Sequence, residues 1–185
     1  MNFEKFSRLE GKHAVFNPSQ PYWLRYTDEK AVAYYTTKKA AERGTKLHEW
    51  AKTTIDLGIK QPRSNCTLYA YVNDAIGFHM STEVTLYYDD ICFGTADAIS
   101  FRNNKLRVHD LKTGKGPVHR EQLLVYVALF CLQYKVNPAD IQIECRIYQN
   151  DEIDKFCPEV DDILPIMDHI KHLVKLVKEY DNPEV

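Results

Sequence analysis

Two alternating apolar runs, residues 105–112 and 140–148, flank one strongly apolar helical stretch, 120–133, and this succession leaves few folds open. Ile141, Ile143, Cys145 and Ile147 alternate with other residues at the period of a strand. Leu123, Leu124, Val127, Leu129 and Phe130 mark the helix. Strand, helix and strand at this spacing predict parallel pairing through a right-handed crossover. Upstream, residues 81–88 and 91–101 read as two further strands, turned at Asp89-Asp90. Arg102-Asn103-Asn104 then predicts a tight hairpin into 105–112. Residues 28–57 carry one apolar helical face, with Ala40, Gly44, Leu47, His48, Ala51 and Ile55, and Gly58 and Pro62 close it. Residues 66–76 fit a strand and a helix equally. A last amphipathic helix spans 160–180, and 1–28, aromatic-rich with Pro18 and Pro21, reads as an irregular arm packed on the domain. The expectation is a single α/β domain over 1–185, a mixed sheet flanked by helices.

At 44% hydrophobic and 27% charged residues, the composition is that of an ordinary soluble globular protein. The chain has no apolar run of membrane-spanning length, and Met1-Asn2-Phe3-Glu4-Lys5 does not open a signal peptide, so a cytoplasmic protein is expected. Five scattered cysteines with no C-x-x-C predict reduced thiols, neither a disulfide scaffold nor a zinc ribbon. A net charge of −2 leaves nucleic-acid binding to local argument. Arg102, Lys105, Arg107, Lys112, Lys115 and Arg120 surround the single acid Asp110, whereas 151–162 is strongly acidic.

That basic stretch coincides with a possible site. Strand alternation puts Asp110 and Lys112 on one face and Leu111 on the other. Asp97, on the preceding strand, falls opposite or diagonal to them. Two carboxylates so placed repel unless a cation lies between, and hard oxygen ligands select Mg²⁺ or Mn²⁺. A lysine beside the metal can orient a water or stabilise charge on a phosphate, which is what a metal-dependent phosphodiesterase needs. The same pattern fits a plain cross-strand ion pair of Lys112 with a surface Asp. His48, inward on its helix, fits a core histidine or a ligand. Gln122 and Tyr126, four apart on one helix face, can hydrogen-bond the lysine, a metal-bound water or a phosphate. Glu83 is an acid on a strand near the sheet's edge.

Gly44-Thr45-Lys46-Leu47-His48, Gly94-Thr95-Ala96-Asp97, His109-Asp110-Leu111-Lys112-Thr113-Gly114 and Gln122-Leu123-Leu124-Val125-Tyr126 come in the order and spacing of RecB-type PD-(D/E)XK nucleases. From about His13 to Tyr148 the chain resembles that family, and most of all its phage-associated branch and the CRISPR-associated RecB-like exonucleases. The resemblance implies a restriction-endonuclease-like αβββαβ core and hydrolysis of DNA with Mg²⁺ or Mn²⁺. It makes His48, Asp97 and Asp110 metal ligands, with the Leu111 carbonyl a further one and Glu83 an outside candidate. Asp97, Asp110 and Lys112 would be catalytic, and Gln122 and Tyr126 would support them and contact DNA; local charge, apart from the resemblance, offers Lys105, Arg107, Lys115 and Arg120 as phosphate contacts or as a solvated hairpin face. Many relatives hold a [4Fe–4S] cluster through cysteines; Trp23-Leu24-Arg25-Tyr26 has none and the C-terminal cysteines are unclustered, so no cluster is expected.

The resulting expectation is an exonuclease acting on DNA ends in recombination, repair or phage DNA processing, in the host cytoplasm if phage-encoded. Without helicase motifs, any helicase or recombination partner would be a separate protein. Two alternatives stay open: a non-catalytic nucleic-acid-binding or assembly module on the same fold, and a structure-specific or RNA-directed endonuclease. Polarity, strand preference, metal count and oligomeric state are not legible in the residues.

Overall fold

A computed structural model describes residues 6–9, 11 and 13–181. The chain divides into two compact units, Met1–Thr45 and Lys46–Val185, with the boundary inside the first long helix. In the first unit, short 3-10 turns at Ser7–Leu9 and Pro21–Arg25 precede that helix. Phe16, Trp23, Tyr26 and Tyr34 join in a ring cluster with centroids 5.5–6.4 Å apart.

Helix α1 spans Asp28–Asp56. Thr27 Oγ1 accepts the Lys30 N–H at its start, and Asp28 and Glu29 oppose the positive end of the helix dipole. It ends at Gly58, whose φ of 66° lets the Gly58 N–H reach the Ile55 carbonyl and the Ile59 N–H the Thr54 carbonyl.

In the second unit the order is α2 (Thr67–Gly77), β1 (Ser81–Asp89), β2 (Cys92–Arg102), β3 (Lys105–Leu111), α3 (Glu121–Tyr134), β4 (Gln142–Gln149), β5 (Glu152–Phe156) and α4 (Val160–Asp181). The strands form one mixed sheet in the order β1-β2-β3-β4-β5. Only β3 and β4 run parallel, Asp110 opposite Ile147, with α3 as the connection the strand–helix–strand spacing predicts. Asn103 and Asn104 both take positive φ, as a two-residue hairpin turn requires.

One segment that the residues left open is decided, and one element departs from the sequence expectation. Residues 67–77 are helical, because Tyr71, Val72 and Ala75 then share one buried face. β5 lies in the acidic stretch, paired to β4 through Asn150-Asp151, a second positive-φ turn whose Asn-Asp signal went unread. The five cysteines are free thiols, and among the described residues no helix is long and apolar enough to cross a membrane.

The sheet separates two cores. Leu106, Val108, Ile143, Cys145 and Ile147 pack against α3 and α4. Leu111, Tyr148 and Ala98 pack against α2 and, through Ala51 and Ile55, the end of α1. This second face also carries a buried ionic network. Arg146 donates to Asp74 (2.7 Å) and twice to Glu144 (3.0 and 2.7 Å), and Lys105 donates to Glu144 at 2.9 Å. Phe78 lies under both the Arg107 and the Arg146 guanidinium groups, at 4.4 and 4.9 Å.

Burial alone would push Glu144 up; hydrogen bonds from Lys105 and Arg146 outweigh it and hold the group at about 2. A carboxylate lowered on folding adds stability above its unfolded value, near 4.5, and that contribution drains as pH falls toward 2. The unfolding free energy of wild type, read from urea titrations, should therefore drop faster than that of Glu144→Gln between pH 5 and 3, by at most about 1.4 kcal/mol per pH unit. Parallel curves would show that Glu144 is not the ionised hub of this network.

Candidate functional site

β1 and β2 pair with Thr82 opposite Ala98 and Val84 opposite Ala96, which sets Glu83 across from Asp97. At that position the ladder is interrupted, and Glu83 takes a φ of 50°, a left-handed backbone uncommon outside glycine. The strand turns over there. Ala96 packs beneath α3 but Ala98, two residues on, packs on the α2 face, although residues two apart in a regular strand share a side. Such a conformation costs on the order of 1–3 kcal/mol and persists where surrounding structure enforces it.

The turnover gathers three ligand-capable groups. His48, Glu83 and Asp97 each offer one atom, all within 4.8 Å of one another. His48 Nδ1, on half-buried α1, stands 3.6 Å from Asp97 Oδ2, which also accepts the Leu111 N–H at 2.9 Å. Burial, followed by the charge of Asp110, pushes Asp97 well above the usual carboxylate range; Glu83 adds to this, and the Leu111 N–H and His48 pull the other way. Tyr71 on α2 is a buried phenol raised by burial and by the same acids, Asp97, Glu83 and Asp110, so it stays protonated. Nothing in the sequence singled it out, because its segment read equally as strand or helix.

Next to this set runs a hydrogen-bonded chain. Lys112 Nζ donates to Asp110 Oδ1 (3.1 Å) and to Gln122 Oε1 (2.7 Å). Gln122 Nε2 donates to the Tyr126 hydroxyl (3.2 Å), which donates to the Thr95 carbonyl on β2 (2.7 Å). Two of the three ammonium protons are thus committed and one is left for an incoming oxygen. Asp110 is almost fully buried; Lys112 lies 3.0 Å from its Oδ2 but out of line, so that oxygen has no hydrogen-bond partner.

Gly94 makes room for this chain. A Cβ there would sit 3.0 Å from Tyr126 Cε1, and the ring cannot recede without breaking the bond to Thr95. Gly94→Ala should destabilise the protein by about 1–3 kcal/mol through overpacking. The cost should shrink in a Tyr126→Leu background, read by thermal melting of the two pairs. Equal costs in both backgrounds would show that the ring is not what the glycine accommodates.

The structure brings some of the sequence candidates together and separates others. Glu83, not Asp110, completes the close threesome with His48 and Asp97, because the left-handed Glu83 backbone re-aims an edge-strand acid. Asp110 is tied to Lys112 instead. Leu111 enters through its N–H, and its side chain fills the second core. Lys105 and Arg107 point to the opposite face of β3 from Asp110 and pair with Glu144, at 2.9 and 3.8 Å. Arg120 is clamped on Asp154 by bonds of 2.8 and 2.6 Å, in the strand that sequence reading missed. Lys115 alone of the four is exposed without an ion pair among the described residues, in the connection after Lys112. Gln149 holds that connection by donating to the Gly114 and Gly116 carbonyls.

No family model, curated protein or solved structure matches the chain.

The donor set suits a divalent cation. Two carboxylates and an imidazole converge, the charges of Asp110 and Glu83 push Asp97 up, and a buried Asp110 oxygen lacks a hydrogen-bond donor. His48, Glu83 and Asp97 would hold the ion, with Asp110 beside them.

Proposed function

We propose that this chain hydrolyses phosphodiester bonds in DNA with Mg²⁺ or Mn²⁺, acting from DNA ends as an exonuclease of the RecB-type PD-(D/E)XK kind. The observation that carries this reading is the meeting of two sets on adjacent strands. His48, Glu83 and Asp97 lie within reach of one cation, and Lys112 is held between Asp110 and Gln122 with one proton free. The order α1, β1, β2, β3, α3, β4, with β3 and β4 parallel, supports a restriction-endonuclease-like αβββαβ core into which α2 is inserted.

When bound, the cation lowers the pKa of a coordinated water and offsets charge on the phosphate. The chain's own residues do the rest. Lys112 points its remaining N–H at a phosphate oxygen or the attacking water, and Asp110 holds it in place. Gln122, fixed at its nitrogen by Tyr126 and through it by Thr95, prevents the ammonium from swinging away. Asp97, easily protonated for a carboxylate, binds the metal only when ionised.

Labelled linear DNA should be degraded in Mg²⁺ or Mn²⁺ and survive in EDTA, while a closed circle of the same sequence exposed to the same enzyme should stay intact. Linear DNA left intact in both metals rules the reading out, and cutting of the circle replaces exonuclease by endonuclease.

A further inference from the structure

The two units differ in charge. Met1–Thr45 holds eight Lys or Arg against five Asp or Glu, whereas Lys46–Val185 holds sixteen against twenty-one. A net positive unit on a net negative chain has a function to explain, since the excess cations repel one another without a partner.

The cations of the first unit are interleaved with aromatic rings. Tyr26, Lys30, Tyr34 and Lys38 recur every four residues into and along α1, the spacing that stacks side chains on one helix face. Lys30 Nζ lies 4.5 Å from the Tyr26 ring centroid and Lys38 Nζ 5.5 Å from that of Tyr34, while the two rings meet edge-on at 5.5 Å. Neither lysine has a carboxylate partner among the described residues. Phe16, 41% exposed, packs on Tyr34 at 6.4 Å. Alongside Tyr34 and Lys38 opens a groove of about 560 Å³, whose other wall includes His13, Asn17, Ser19 and Gln20. It is lined by the Tyr34 ring, the Lys38 ammonium, the His13 imidazole, neutral hydrogen-bonding side chains and small apolar ones, with Glu42 the one acid.

Rings give base faces a sequence-tolerant stacking partner, and lysines neutralise the phosphates between them; a row of both is the pattern of single-strand binding. We infer that the Met1–Thr45 unit grips single-stranded DNA along the Tyr26–Lys38 row and its groove. This rests on the nuclease reading and adds a substrate form to it: a strand already separated from its complement, whose bases are free to stack.

The test uses the full chain in EDTA, so that binding is read without hydrolysis, with fluorescein-labelled oligo(dT) of twelve residues followed by anisotropy. Tyr34→Leu keeps an apolar packing group and should weaken binding about 5- to 100-fold, the worth of one lost stacking contact. Lys30→Gln/Lys38→Gln, at two exposed positions, should lower the slope of log affinity against log salt by about 1.4, roughly 0.7 per phosphate contact on a single strand. Wild-type affinity and salt slope in both variants would overturn the inference, as would a blunt duplex of the same length bound as tightly as the single strand. In either case the nuclease reading survives if linear DNA is still degraded in Mg²⁺ or Mn²⁺. An acidic peptide competing as well as oligo(dT) would also overturn it, by making charge alone sufficient.

Discussion

Asp97→Asn is expected to lower DNA hydrolysis in Mg²⁺ or Mn²⁺ by about a thousandfold or more while leaving the protein at least as stable as wild type. The loss follows from removing the carboxylate that stands beside His48 and Glu83 and accepts the Leu111 N–H, the centre of the proposed metal site. Several kcal/mol of transition-state stabilisation supplied by a metal correspond to about 10²–10⁴ in rate. The stability half follows from the raised pKa: burial and the charges of Asp110 and Glu83 make the ionised form costly in the fold. An amide of the same shape can still accept the Leu111 N–H and does not repel those acids. A group raised on folding is stabilising only when protonated, so the gain over wild type should appear above the folded pKa and vanish at lower pH. Urea unfolding at pH 8 and pH 5, beside the hydrolysis assay, reads both halves. An Asp97→Asn protein that hydrolyses at the wild-type rate would remove Asp97 from the metal site. One that is markedly less stable at pH 8 would show that the acids are already neutralised in the fold.

The second large effect is structural. Arg146→Met should cost about 3 kcal/mol, the low end for breaking a buried pair, because Glu144, 5% exposed in its side chain, loses both bonds from Arg146 and keeps Lys105, and Asp74 loses its cation. Replacing the buried pair together, as Arg146→Met/Glu144→Leu, should recover much of that loss, since apolar groups of similar volume need no partners. Urea midpoints of the three proteins decide it. A double variant no better than the single would mean that Lys105, Lys155 and Arg107, left without Glu144, cost as much as the acid did. DNA hydrolysis per folded molecule should hardly change, because this network lies on the other face of β3 from Lys112.

Much of the scaffold was legible in the residues. The Asn103-Asn104 turn, the termination of α1 at Gly58 and the parallel pairing across α3 follow from local rules that a sequence carries openly: positive φ at Asn and Gly, and the reach a parallel connection needs. Asp110, Lys112, Gln122 and Tyr126 came together as their spacing implied, because strand alternation and the four-residue helix repeat set side-chain direction within one element. β5 was missed although Asn150-Asp151 announced it; the acidic composition around the turn masked its strand.

What periodicity could not convey was direction across elements. Glu83 joins His48 and Asp97 through one backbone angle in an otherwise regular strand, and no residue pattern marks that position. Tyr71 reaches the acids only because the undecided segment folds as a helix against the sheet. Lys105 and Arg107 looked like phosphate contacts and are partners of Glu144, whose position depends on the parallel register of β3 and β4. The sequence by itself determined most of the elements, the parallel crossover and the lysine chain, all of which are local or have a fixed period. The tertiary structure decided which three ligand-capable groups converge and which basic side chains are taken up in ion pairs, because both depend on register between strands distant in the chain and on a single strained residue.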